Sequence, residues 1–387
     1  MVFVLTTGST SDFLNCRKAL ARFKALPRQQ RTVVFYSEGP GYWSHFQPVF
    51  DALQKNYSQP VLYVTSSLHD PIYTNPPAGL KPFYIGSGLV RTWFFATLDV
   101  DVLLMSMPDL HSFHIKRSPH IVSYVYLHHS IVSTHMVYRP AAFDHFDAVL
   151  CVGPHHVKEI RQRETLHSLP AKTLVEHGYG RLDAMLQTVQ QSDGSVCVDP
   201  KQVLIAPSWG DSSLLNLCGL QAIESLLDAG FKVVLRPHPR TRQLHAPVLE
   251  QIVARFGEHP QFKLDDNMDA YLSLQRSALM VSDWSGAALE FAFAYQRPIV
   301  FVNVPRKIQN EAYTQLELEP IEVRIRQDIG QVIQQQDIGL IGKIAQELMR
   351  HSEKWQKNIS YVRKKTVFNL NSSGEVAADY VMSLIKK

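Results

Sequence analysis

Short runs rich in Val, Ile, Leu and Phe recur along the chain roughly every 30 residues, with helical periodicity between them. Strands are expected near 1–6 (MVFVLT), 31–36 (RTVVFY), 60–65 (PVLYVT), 100–105 (VDVLLM), 121–126 (IVSYVY) and 147–152 (DAVLCV), with one more in KTLVE before Gly178. Continuous apolar runs of this kind suit parallel strands covered on both faces. Helices are expected near 12–26, 44–56, 89–97 and 154–164, with a short one after Gly178-Tyr179-Gly180-Arg181.

The polar stretch QQSDGSVCVDPK (190–201) reads as a linker, after which the pattern restarts. Strands QVLIAP (202–207), FKVVLRP (231–237), ALMVS (278–282) and PIVFVN (298–303) alternate with helices near 213–229, 246–256 and from about 286. Helices near 338–352, 353–366 and 374–386 close the chain. The alternation predicts an α/β protein with two Rossmann-like domains, at 1–190 and 200–350, followed by closing helices at 351–387. Two such sheets facing each other would bind ligands in a cleft at the carboxyl ends of their strands, so the residues just past each strand matter most.

Composition narrows the class without changing the fold. A chain of 387 residues is long for a single core. Hydrophobic residues at 45% and charged residues at 19% describe a globular protein. The opening MVFVLTTGSTSDF has no basic region before its apolar run and reads as a strand, not a signal peptide. Cys16, Cys151, Cys197 and Cys218 form no CxxC pair, which argues against a structural zinc site and fits a reducing cytosol. A net charge of +4 allows attraction to anionic substrates but is not the footprint of a nucleic-acid binder.

The strand ends carry the candidate chemistry. IVSYVY runs into Leu127-His128-His129-Ser130. A neutral imidazole there can take a proton from an acceptor hydroxyl, and His128 and His129 are the candidate catalytic pair. Adjacent side chains in extended chain point to opposite faces, so one of the two lines the cleft. VLIAPSWG places Ser208 and Trp209 after a strand; Trp209 either stacks on a base or belongs to the core. FKVVLRPHPRTR places Arg236, His238, Arg240 and Arg242 at a proline-stiffened turn, a set suited to phosphoryl oxygens or to a solvated loop. In SDWSGAALE, Ser282, Asp283, Ser285 and Gly286 open a helix where backbone N–H groups could meet a phosphate, or where Ser285 is simply an N-cap. Arg181 and Asp183 pair with each other at a hinge in one reading. Glu38 follows a strand on the acceptor side, and the Asp99–Asp101 pair lies at a strand start, away from the cleft end.

The ordered series LHHS, GYGRLD, IAPSW, LRPHPR and SDWSGAALEFAFAYQRPIVF resembles the CDP-glycerol glycerophosphotransferase family of teichoic-acid and capsule enzymes. The corresponding family stretches read approximately WHGT, GYPRND, APTW, a strand ending in HP, and TDYSS before a helix and KPI. The resemblance spans about 120–305, with Ser130, Gly180 and Trp284 departing from the pattern. It implies a GT-B fold, an in-line transfer from a CDP-activated donor, and no cofactor or metal. His129 would be the acceptor-side general base, and His238 would bind the donor phosphates. Ser282, Asp283, Ser285 and Gly286 would form the nucleotide-phosphate loop, with Arg181 and Ser208 on the donor side; Arg236 and Arg240 are added to the donor-binding set from their place beside His238.

The implied partners are a nucleotide-activated donor and a lipid-linked or polymeric glycan acceptor, at the cytoplasmic face of a membrane. The segment SEKWQKNISYVRKKTV (352–367) reads either as a basic amphipathic helix on an anionic membrane or as a solvated face. An inverting glycosyltransferase using a nucleotide sugar and a non-catalytic nucleotide-sugar or glycan-binding module are the rival readings. A sugar-nucleotide epimerase lacks a convincing carboxylate pair here.

Overall fold

The computed structural model describes residues 10–112, 114–191, 197–265 and 271–385; the strand expected at 1–6 lies outside them. The chain divides into two compact units. The first comprises Met1–His129, Tyr138–Asp183 and Phe368–Lys387, and the second Ser130–Val137 and Ala184–Val367. Compared with the boundaries read from the sequence, the second unit takes in a loop from the middle of the first, and the last twenty residues return to the first unit.

The first unit holds strands β1 (Val33–Ser37), β2 (Val61–Thr65), β3 (Leu80–Tyr84), β4 (Val102–Met105), β5 (Ser123–Leu127), β6 (Ala148–Cys151) and β7 (Thr173–Glu176). They form one parallel sheet in the order β3-β2-β1-β4-β5-β6-β7. The second holds β8 (Asp199–Ile205), β9 (Lys232–Leu235), β10 (Phe262–Leu264), β11 (Ser277–Ser282), β12 (Ile299–Asn303) and β13 (Gly330–Gln334). Its order, β10-β9-β8-β11-β12-β13, is the same doubly wound plan, again all parallel. Central strands such as VVFYS and VLYVT are buried at every position, because helices cover both faces.

The direction in which successive strands are added to the sheet reverses between β1 and β4 in one unit and between β8 and β11 in the other. These are the switch points where loops diverge and leave a crevice. Ser37 and Ser106 mark the strand ends at the first, Ser208 and Asp283 those at the second.

The chain's return to the first unit is fastened through Asp183. One carboxylate oxygen accepts from Asn371 N (2.7 Å), the other from Ser373 N (3.0 Å) and Ser373 Oγ (2.5 Å). Gly178, at φ +105°, lies where a Cβ would sit 2.5 Å from the Phe368 carbonyl oxygen, so only glycine fits the passing chain. Helix Ser373–Ser383 then packs along helix Trp43–Tyr57, with Gly374 against the Pro48 carbonyl. The pairing of Asp183 with Arg181 expected from their spacing is replaced by this anchor.

Candidate functional site

At the first switch point, His129 comes after β5 and leans over the end of β4. Its Nδ1 lies 3.0 Å from the Ser106 carbonyl oxygen and 3.2 Å from the Tyr126 hydroxyl. A carbonyl only accepts, so in the neutral ring Nδ1 carries the hydrogen and Nε2 the basic lone pair. The half-buried imidazole meets the rings of Tyr42 (5.6 Å) and Tyr138 (5.8 Å) edge-on. The Tyr179 hydroxyl donates to its backbone carbonyl at 3.1 Å. This is a rigid aromatic mount for a group able to accept a proton. Burial above all, then Tyr138, Tyr42 and the exposed Glu38 at the end of β1, push the Tyr126 phenol well above its ordinary range.

His128 does not join it. As strand alternation requires, it points the other way and is 2% exposed, its ring tilted against those of His156 (4.0 Å) and Phe143 (5.3 Å). Neither ring nitrogen has a hydrogen-bond partner, and burial, then the neighbouring histidines, hold it neutral. Nothing in this packing lets it touch a substrate.

Arg181 stands in the first turn of helix Gly180–Gln191. It belongs to the first unit, where its Nη1 donates to Ser44 Oγ at 3.0 Å. With His129 it lowers the pKa of buried His45, after the larger effect of burial. The histidine and the arginine therefore share one neighbourhood within the first unit.

There Asp283 organises the backbone. Oδ1 accepts from Ser208 N (2.6 Å) and Trp284 N (2.7 Å), and Oδ2 from Leu214 N (2.9 Å) and Ser208 Oγ (3.0 Å). With four donors on a buried carboxylate, Asp283 ties the ends of β8 and β11 to the start of helix Leu214–Asp228 rather than meeting a ligand. Ser282 is likewise committed, donating to the Ala206 carbonyl at 2.7 Å. Ser285 caps helix Gly286–Tyr295, its Oγ accepting from Ala287 N at 3.3 Å. At Gly286 a Cβ would stand 2.9 Å from Ser130 Oγ, so glycine admits the loop 130–137 to this spot. That loop is fixed further along, where Ser133 N and Oγ each donate to the Glu322 carboxylate at 2.8 Å.

Cations gather at the same strand ends. Trp209 carries Lys307 Nζ 3.6 Å and Arg240 Cζ 4.6 Å from its ring centroid, with the His238 ring at 6.1 Å. His238 Nδ1 accepts from Arg240 N (3.1 Å), which leaves the neutral ring's hydrogen on Nε2 as a donor. Burial, with Lys307 and Arg240, lowers His238 to about 4, and burial lowers Lys307 to about 8 despite Asp283. Arg326 lies 4.0 Å over Trp284 and 4.8 Å over Phe301, lowered to about 10 chiefly by burial. Arg236 is spent elsewhere, on Asp265 (3.5 Å) and Ser273 Oγ (3.1 Å) beside β10.

Within the second unit the structure thus brings together Ser208, His238, Arg240, Asp283, Ser285 and Gly286 and turns Arg236 to other partners, and within the first it packs His128 away from His129. Lys307 and Arg326 went unread in the sequence. Lys307 lies just past the end of β12, and the rule that strand ends matter, applied to PIVFVNVPRK, would have found it. Among the described residues no group of three or more His, Cys, Asp or Glu side chains is arranged to hold a metal ion. In helix Ser352–Thr366, Trp355 packs on the core and Arg363 donates to the Phe293 carbonyl at 2.6 Å, leaving Lys354, Lys357, Tyr361, Lys364 and Lys365 exposed. No helix among the described residues is long and apolar enough to cross a membrane.

A family model described as CDP-Glycerol:Poly(glycerophosphate) glycerophosphotransferase matches residues 20–383. No curated protein matches the sequence. Among solved structures, a variant of the wall teichoic acid polymerase TagF with CDPG is similar over 96% of this chain and 93% of its own, at 12% identity and a TM-score of 0.57. The UDP-GlcNAc 2-epimerase from Neisseria meningitidis bound to UDP-GlcNAc is similar over 91% and 99%, at 14% identity and 0.59. MnaA from S. aureus with UDP is similar over 92% and 98%, at 15% identity and 0.59. At these identities the likeness establishes the fold, two Rossmann-like units of the GT-B type, and not the reaction.

Proposed function

This chain belongs to the CDP-glycerol:poly(glycerophosphate) glycerophosphotransferase family and is a transferase; from that premise we propose that it moves a polyol phosphate, glycerol or ribitol phosphate, from a CDP-polyol to a hydroxyl of a lipid-linked or polymeric surface glycan. The observation that carries the reading is the cation set on Trp209, which puts Lys307, Arg240 and the Nε2–H of His238 at a switch point ready for a diphosphate. Fixed donors in a partly buried site stabilise developing phosphate charge without reorganising.

In this mechanism His129 Nε2 takes the acceptor hydroxyl proton, and the hydroxyl oxygen attacks the donor phosphorus that bears the polyol. The bond from that phosphorus to the bridging oxygen breaks, and CMP leaves with its new charge held by Lys307, Arg240 and His238. The Ser106 carbonyl supports the imidazolium that forms, because it accepts from Nδ1 throughout. Charge neutralisation falls to these side chains, so turnover is expected to persist in excess EDTA. The exposed lysines of helix Ser352–Thr366 suit work at an anionic, cytoplasmic membrane face.

The test is a donor screen with CDP-glycerol, CDP-ribitol and a panel of CMP-, UDP-, GDP- and TDP-sugars, monitoring nucleotide binding and release. Selective binding of a CDP-polyol with release of CMP is the expected result. Preference for a nucleotide sugar would leave the fold intact and overturn the chemistry.

A further inference from the structure

We propose that the first unit contains an anion subsite, built from Arg181, Ser44 and His45 beside His129, that holds a phosphate of the acceptor. The proposal rests on the reading of His129 as the acceptor-side base.

Two helices begin at this place. Helix Gly180–Gln191 starts against helix Trp43–Tyr57, and a Cβ on Gly180 would lie 3.1 Å from the His45 carbonyl oxygen and 3.2 Å from Pro48 Cγ. Each amino terminus carries about half a positive charge. Helix Trp43–Tyr57 has no acidic residue in its first turn and no side-chain cap from Tyr42. The first-turn acid of helix Gly180–Gln191, Asp183, is consumed by Asn371 and Ser373. Arg181 adds a full charge and holds Ser44 Oγ at 3.0 Å.

The second observation is His45. It is 5% exposed, its Nδ1 has no hydrogen-bond partner, and the charged groups that act on it are Arg181 and His129. A buried ring nitrogen without a protein partner either takes one from outside the chain or carries its cost within the fold, as His128 does. Its ring stands 6.3 Å from that of His129 and 5.5 Å from that of Tyr179, so the unpartnered nitrogen belongs to a ring beside the proposed base. Guanidinium, hydroxyl and helix termini together match a phosphate monoester or diester. An acceptor whose attacking hydroxyl is a few bonds from a phosphate, as in the end of a polyol-phosphate chain, would be oriented by it.

The experiment uses the full chain with nitrogen-labelled histidine and sn-glycerol 3-phosphate as the probe, with glycerol as the phosphate-free control. Expected are saturable shifts of the His45 and His129 ring signals with the phosphate ester alone. Arg181→Gln should weaken this binding about tenfold or more. Arg181→Lys, which keeps the charge, should recover part of it. CDP affinity should be unchanged in both, and in turnover the acceptor KM should rise with little change in kcat. Absence of binding to the wild type, equal binding to folded Arg181→Gln, or a parallel fall in CDP affinity would overturn the subsite. The binding arm needs no donor turnover. A wild type that binds glycerol 3-phosphate but releases no CMP would keep the subsite and remove the donor reading.

Discussion

The two sheets share one strand order, yet their switch points carry opposite chemistry. In the first unit the strand ends collect aromatic and imidazole rings: His129 among Tyr42, Tyr126 and Tyr138, with His45, His128 and His177 buried behind. In the second they collect charge, with Lys307 and Arg240 on Trp209 and Arg326 on Trp284, around a carboxylate whose oxygens are fully used. A base that must accept a proton gains from contacts that fix the orientation of its ring. A phosphate site gains from cations that indole faces keep in place while unoccupied. One strand plan thus serves two jobs, and the residues just past the strands set which job each sheet has.

The contrast is broken most severely by His129→Ala. If the first unit supplies the base, kcat should fall about 10²–10⁴-fold while CDP affinity stays at the wild-type level. A variant that retains turnover would take the ring out of the chemistry.

A smaller but broad effect is expected from acid. Burial lowers His177 to about 4 and sets His45 and His128 well below their ordinary value, whereas at the second switch point the lowered ring is His238. A depressed folded-state pKa means stability that is fully present above the unfolded value near 6.5 and lost as pH falls toward the folded one. His177 alone accounts for about 3 kcal/mol across that window. Chemical denaturation at pH 7.5, 6 and 5 should therefore show a falling midpoint, and His177→Leu should flatten the fall. An equal slope in the variant would detach acid sensitivity from this ring.

Lys307→Met sharpens the other side. It should weaken CDP binding about tenfold and alter Trp209 emission, with the His129 ring signals unmoved. Loss of glycerol 3-phosphate binding in the same variant would blur the division between the units.

Much of the fold was legible because central strands are buried on both faces and print continuous apolar runs. The strands that escaped notice, LKPFY, FKL and GQVIQ, all lie at sheet edges, where partial exposure admits Lys, Pro and Gln and breaks the run. Of the site, positions were readable but partners were not. Asp283 and Ser208 stand at the strand ends their motifs indicate, yet their hydrogen bonds turn inward and make them the frame of the proposed phosphate site. Arg236, in the same turn as His238, is drawn away by Asp265 and Ser273.

What the sequence by itself determined is the succession of strands and helices and the presence of imidazole, guanidinium and hydroxyl groups just past the strands. Those features come from local periodicity and from the chain's own order. Only the tertiary structure decided that residues 130–137 join the second unit, that residues 368–387 return to the first, and that Arg181 keeps company with His45. These outcomes depend on groups far apart in sequence, such as Asp183 with Ser373 and Ser133 with Glu322. A buried polar atom takes whichever partner the packed layers bring within about 3 Å, and no local pattern encodes that distance.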